Sequence, residues 1–210
     1  MKSKSKKCVI AGAILAGGNA SRLDGVAKGA IEVGNNGVSI IGKLIKELIE
    51  SGISDIVIVA NNSEPYRNCS VKIISDIRAG MGPMGGIESG LVHFADKSDA
   101  VMFVPCDMPN ITAKELLLLK AAFMETKTPV VFAETTGFFW HPLCAVVHND
   151  LRKVISSTID KGQRKIRDVW KEVKAVSVPF DNETAFFNIN SLEDMNSWLR
   201  SGKNEKADMC

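Results

Sequence analysis

The stretch CVIAGAILAGGNASRLDGVAK, residues 8–28, carries an apolar run into a glycine pair and then presents two cations. An apolar run of this length, stopped by glycine, reads as a buried strand. In open parallel sheets the loop after such a strand lies at the carboxyl edge, where ligands bind. Gly17 and Gly18 have no Cβ, so backbone N–H groups there can approach a phosphate chain closely. Arg22 offers a planar fork of donors and Lys28 a mobile point charge, two ways of meeting phosphate oxygens. No Gly-Lys-Ser/Thr follows at the spacing of a Walker A loop, so the phosphate site is of another kind.

Outward from that loop, short apolar runs alternate with helical patterns. Strands are expected at Cys8–Leu15, Asp55–Ala60, Val71–Ser75, Ala100–Val104, Pro129–Ala133, Leu143–Val147 and near Ala175–Val178. Ile40, Ile41, Leu44, Ile45, Leu48 and Ile49 recur at helical spacing and stop at Ser51-Gly52. Further helices are expected after Gly86, over Thr112–Met124 with Thr112 and Glu115 forming a capping box, over Asp150–Ile159, and from Ser191 to about Arg200. The alternation predicts an α/β fold, a mostly parallel central sheet covered by helices on both faces.

A chain of 210 residues suits one α/β domain, here taken as residues 1–210 with flexible tails at 1–7 and 201–210. Its net charge of +2 is too small to argue for nucleic acid, and Lys2, Lys4, Lys6 and Lys7 read as a solvated leader. No apolar run approaches the roughly 20 residues that span a bilayer. The apolar stretch after the lysines runs straight into the glycine loop, which argues against a cleaved signal peptide. Five scattered cysteines without a C-x-x-C read as free thiols in a reducing cytoplasm.

Four consecutive strand ends carry glycine or polar signals: the loop after the first strand, Asn61, Asp76 and Asp107. Asp107 ends FVPCD, where a carboxylate past a buried strand either holds Mg²⁺ or caps a turn. Asp76 either caps the next element or hydrogen-bonds a purine edge or ribose, and Asn61 is a binding or a turn residue. Cys106, with no base placed to activate it, reads as a small core thiol. GMGPMGG, residues 80–86, contains G-x-G-x-x-G, but it does not open directly from a strand into a helix, and Pro83 interrupts it. A loop wrapping a base or ribose through Gly82 is the better reading. His141 is a site-wall candidate, whereas His93 and His148 read as structural. The basic run Lys161–Arg167 is either a solvated helix face or, through Arg164 and Lys165, a seat for an anionic acceptor. FFNINS, residues 186–191, places Asn188 and Asn190 on one side of a short strand, for substrate or for a turn.

LAGG with a following SR and Lys28 resembles the signature of the nucleoside triphosphate transferase superfamily. The further order of GPMGG, VPCDMP, HPL, a basic G-x-R segment and FNINSLED resembles the MobA family of molybdenum cofactor guanylyltransferases over nearly the whole chain. GNNGV at 34–38 departs from the shorter turn usual in that family. The resemblance implies a Rossmann-like three-layer sandwich of the nucleotide-diphospho-sugar transferase type. It implies GTP and Mg²⁺, with GMP passing to the terminal phosphate of Mo-molybdopterin and pyrophosphate leaving. By motif, Leu15, Ala16, Gly17, Lys28, Asp76 and Asp107 match nucleotide or metal positions, with Asn61 a looser match. Molybdenum insertion proteins and molybdoenzyme chaperones are the implied partners. A sister enzyme using CTP or another phosphorylated acceptor is the alternative.

One anionic phosphate attacking another needs positioning and charge neutralisation more than a base. Asp107 would hold the metal, and Arg22 and Lys28 would stabilise the departing pyrophosphate.

Overall fold

The computed structural model describes residues 8–17, 27–33 and 37–204. Seven strands form one sheet in the order β5-β4-β1-β6-β8-β7-β9. They are β1 (Ile10–Leu15), β4 (Ile56–Val59), β5 (Lys72–Ile74), β6 (Ala100–Pro105), β7 (Val130–Thr135), β8 (Phe139–His148) and β9 (Val176–Phe180). Six of the seven run in one direction, and β8 alone is antiparallel to its neighbours β6 and β7. A separate antiparallel pair, β2 (Glu32–Val33) and β3 (Val38–Ser39), stands beside the sheet. The expected α/β architecture with a mostly parallel sheet is therefore the observed one.

Period-two alternation along the strands divides the core between two faces. On one face Ile14, Ile58, Met102, Val104 and Val146 pack under α1 (Ile40–Glu50), α3 (Ala113–Glu125) and α6 (Leu192–Asn204). On the other, Ala13, Val59, Phe103, Phe132 and Val147 pack under α2 (Pro83–His93), α4 (Arg152–Asp160) and α5 (Ile166–Glu172). β1 and β6 are buried along nearly their whole lengths, which is why they read as continuous apolar runs.

Local chemistry explains the helix starts. Ser39 accepts from Gly42 N–H at 3.1 Å to cap α1. At α3, Thr112 N–H donates to Glu115 Oε2 at 3.1 Å, the reciprocal half of the expected capping box. α2 begins at Pro83 rather than after Gly86, so GMGPMGG is half loop and half helix. Proline suits the first helical turn because its missing N–H has no partner there to lose. Gly82 precedes it at φ 58°, ψ −148°, a conformation open only to glycine. β8 is longer than expected because it pairs across a tight turn with β7, from Thr135 opposite Phe139 to Val130 opposite Val147.

Candidate active site

The carboxyl edge gathers what the sequence placed at strand ends. Leu15 leaves β1 between two neighbours: its carbonyl accepts from Cys106 N–H at 3.0 Å, and Ala16 N–H donates to Val59 O at 2.9 Å. A Cβ built on Gly17 would meet no atom of the described residues within 4 Å. Gly18 and Arg22 lie outside the described residues, as do positions 34–36 within the GNNGV segment.

Lys28 opens a 3₁₀ turn, Lys28–Ala30, and its Nζ donates to Ile189 O at 2.6 Å. Ile189 N–H in turn donates to Asp107 O at 2.8 Å. One buried residue near the C-terminus thereby latches Lys28 to the end of β6. Burial pushes the Asp107 carboxyl up, and the Lys28 ammonium pulls it back. Cys106 is buried and its thiol is pushed up to about 12, by burial first and then by Asp107, so it is inert packing as expected.

Asn61 and Asp76 hold each other. Asn61 Nδ2 donates to Asp76 Oδ2 at 2.8 Å, and Asp76 N–H donates to Asn61 Oδ1 at 2.9 Å. Beside the binding, turn and cap readings posed for them, the two residues form a reciprocal clasp between the ends of β4 and β5. The first turn of α2 lies against this clasp: a Cβ on Gly86 would sit 3.8 Å from Asp76 Oδ1 and 3.0 Å from Leu15 Cδ2. Bulkier residues there would drive the helix end away from the strand ends.

Sequence reasoning missed how the 76–82 loop is held. Ile77 N–H donates to Ser89 Oγ at 2.9 Å, and the buried Glu88 pairs with Arg78 at 3.1 Å. Arg78 also donates to Ser156 Oγ at 2.6 Å and contacts Asp160 on α4. The only available signal was Glu88 itself, a charged residue on an otherwise apolar and small helix.

The C-terminal candidates divide. His141 is 4% exposed, with Nε2 3.0 Å from Thr135 Oγ1 and its ring stacked on Phe186 at 4.8 Å. It is thus a packed interior ring beside the edge rather than an open wall. Burial, helped by Arg167, pushes it down to about 4. The basic run is not a solvated helix face: Lys161–Lys165 is a turn, and α5 starts at Ile166. Arg164 Nη1 closes the end of α4 by donating to Ile159 O and Gln163 O, both at 3.1 Å. Lys165 is exposed at the start of α5. Asn188 and Asn190 do not lie on a strand. They flank the buried Ile189 in extended chain, Asn188 Nδ2 donating to Phe186 O and Asn190 N–H to Asp194 Oδ2. Outside this edge, His148 Nδ1 accepts from Asp150 N–H at 3.2 Å, a structural contact.

Among the described residues no three His, Cys, Asp or Glu side chains converge as a protein-made metal cage. No helix there is long and apolar enough to cross a membrane.

Comparison with known proteins agrees with this geometry. The family model described as MobA-like NTP transferase domain matches residues 12–176. The chain is 32% identical over 183 residues to a molybdenum cofactor guanylyltransferase of Vibrio campbellii, covering 87% of this chain and 91% of that one. It is 34% identical over 187 residues to the Aliivibrio fischeri (strain MJ11) protein of the same name, with the same coverage. The fold matches molybdopterin-guanine dinucleotide biosynthesis protein A from Archaeoglobus fulgidus with a TM-score of 0.72 at 23% identity, over 94% of this chain and 98% of that one.

Proposed function

The chain belongs to the MobA-like NTP transferase domain family, and from that premise we propose that it transfers GMP from GTP to the terminal phosphate of Mo-molybdopterin, releasing pyrophosphate. The observation that carries this reading is the meeting of Lys28 and Asp107 at the carboxyl edge, joined through the Ile189 backbone. A cation and an acid there, beside a glycine loop and the Asn61–Asp76 clasp, form a site for a nucleoside triphosphate. The names of the relatives supply the acceptor.

Lys28 sits where charge builds on the departing pyrophosphate, with Arg22 of the same loop as its proposed companion. Asp76, fixed by Asn61, offers acceptor oxygens to donors on a base or ribose. Gly82 and the small first turn of α2 let that group lie close to the backbone. Leu15 and Ala16, tied to the neighbouring strands, carry the loop, and Gly17 and Gly18 supply backbone N–H groups to phosphate. The acceptor phosphate is ionised at neutral pH, so no side chain has to remove a proton.

Mg²⁺ fits this donor set: it takes few carboxylates and completes its shell with phosphate and water oxygens. Asp107, a part-buried carboxylate, would hold it. Bound there, the ion would neutralise charge on the phosphate oxygens. Of the acceptor candidates His141, Arg164, Lys165, Asn188 and Asn190, His141 is packed inside and Arg164 is engaged at the end of α4, which leaves Lys165 and the two asparagines to meet the acceptor. Their geometry supports Asn188 and Asn190 most directly, because Ile189 between them ties that segment to Asp107. We place the enzyme in the cytoplasm as one domain, receiving Mo-molybdopterin from molybdenum insertion proteins and handing its product to molybdoenzyme chaperones.

The test is turnover with each of the four nucleoside triphosphates and Mo-molybdopterin in the presence of Mg²⁺. GTP-dependent dinucleotide formation is expected. Preference for CTP would move the chain to the sister activity, and no transfer from any nucleotide would overturn the acceptor.

A further inference from the structure

The turn joining β7 to β8 is unusual in its residues. Gly137 at φ 74° and Phe138 at φ 62° are successive left-handed positions in a three-residue loop, since the last pair is Thr135 opposite Phe139. Glycine or asparagine ordinarily fills the second of these, and a bulky aromatic there is a strained outlier. Phe138 gains no packing in return, for it is 84% exposed, and Phe139 beside it is 57% exposed. Strain held at an exposed aromatic points to a binding role.

Cations face these rings from α5. The Arg167 guanidinium lies 5.9 Å from the centroids of both Phe139 and Trp140, and its Nη2 donates to Trp140 O at 3.0 Å. Phe138, Trp140, Arg167 and Lys171 line a cleft of about 240 Å³. Aromatic faces beside two cations suit a flat, anionic heterocycle.

Position ties the cleft to the chemistry. The pairing of β6 with β8 ends at Phe103 opposite Ala145. β8 bulges between these points, for Phe132 pairs with Ala145 and the next residue, Ala133, with His141, so His141 lies one step past Ala145 along the ladder. Phe138 is three residues further on and Asp107 is four residues after Phe103, so the hairpin tip and Asp107 pass the last β6–β8 pair by the same number of steps. Adjacent strands stand about 4.8 Å apart, so a small molecule whose phosphate lies at Asp107 reaches the tip across the sheet edge.

We infer that this cleft receives the pterin end of the acceptor, its ring on Trp140 and Phe138 and the anionic dithiolene-metal group beside that ring against Arg167 and Lys171. The inference rests on the acceptor reading above and goes beyond it by naming residues that the basic-run candidates Arg164 and Lys165 do not include.

Carboxypterin, a planar anionic pterin, is the probe, and its binding to the full chain is followed by equilibrium dialysis with GTP binding measured in parallel. Loss of a charge-assisted contact in Arg167→Gln should raise the carboxypterin Kd roughly tenfold. Phe138→Gly should raise it as well while melting no lower than the parent, since glycine is at home at that φ. GTP affinity should hold in both variants. Unchanged carboxypterin binding in both, or no saturable binding to the parent, overturns the inference. The two readings fail separately: GMP transfer with an unaltered acceptor KM in both variants refutes the cleft alone. A parent that binds carboxypterin with the expected variant pattern yet transfers no GMP to Mo-molybdopterin refutes the acceptor and leaves a pterin site.

Discussion

Replacing Lys28 with methionine removes two interactions at once, and the structure sets the size of each. The Nζ hydrogen bond to Ile189 O is 2.6 Å long and part-buried, and a bond of this charged kind is worth about 1.5–3 kcal/mol. For a chain of this size, that corresponds to a melting temperature lower by about 3–12 °C. The second loss falls on Asp107, whose carboxyl burial already pushes up and whose charge Lys28 supports. A carboxyl raised in the folded state favours folding in its protonated form, so its contribution is lost as pH rises through the folded value. Without Lys28 that effect grows, and the stability deficit of Lys28→Met should be larger at pH 7 than near pH 4. Turnover should fall by roughly 10²–10³, the usual effect of removing one positioned donor to developing charge. Circular-dichroism melts across pH and pyrophosphate release at 25 °C, where the variant is still folded, measure the two separately. The reasoning fails if the variant melts within about 1 °C of the parent, or if its deficit does not depend on pH. A full rate in a destabilised variant would leave Lys28 as a latch without a catalytic role.

Gly90→Ala should destabilise despite a helix-propensity gain of about 1 kcal/mol, because the new Cβ would lie 2.7 Å from Cε1 of the fully buried Phe103. Overpacking of this kind costs about 1–3 kcal/mol, so denaturant midpoints should fall or at best hold, and a clear rise would refute the tight fit. His141, pushed down to about 4, stays neutral in the folded state while the unfolded chain takes up a proton near pH 6.5. Stability should therefore drop as pH falls from about 6.5 to 4, by up to roughly 3 kcal/mol, and His141→Gln should flatten that fall in urea titrations. Parallel curves for parent and variant would mean that His141 is not buried neutral.

The parallel half of the fold was legible because its strands are buried on both faces and flanked by unambiguous helix signals. Asp107 and Asp76 were legible for a related reason: a carboxylate directly after such a strand has no packing purpose. The turn-borne features were harder. Pro83 read as an interruption, although a proline after a glycine cap begins a helix as readily as it ends one. The run Lys161–Arg167 was taken whole as a charged patch, but Gly162 at φ 82° divides it, sending Arg164 to the α4 carbonyls and Arg167 to the aromatic hairpin. No periodicity encodes that division, because it depends on where α4 stops. His141 was misplaced for lack of its partners, since Thr135 and Phe186 reach it only through the hairpin and the later 3₁₀ turn.

The Ile189 latch also accounts for the placing of two motifs at opposite ends of the chain. A phosphate loop on β1 needs its cation aimed at the site, but lysine is long and loses much rotamer freedom when fixed. A backbone carbonyl at Ile189 supplies the fixed point, and it is held in turn because Ile189 is buried and its N–H is spent on Asp107 O. Asp194 secures the same segment from the other side, accepting from the N–H groups of Asn190 and Ser191 at 2.9 and 2.8 Å. The pattern N-I-N-S-x-x-D thus reads as a mount: the aspartate fixes the turn, the isoleucine anchors it, and the flanking asparagines are carried to the edge where the acceptor would lie. Under the proposed function the nucleotide and acceptor halves would share one cation and one carboxylate, so a loose C-terminal segment would misplace Lys28 as well as the asparagines.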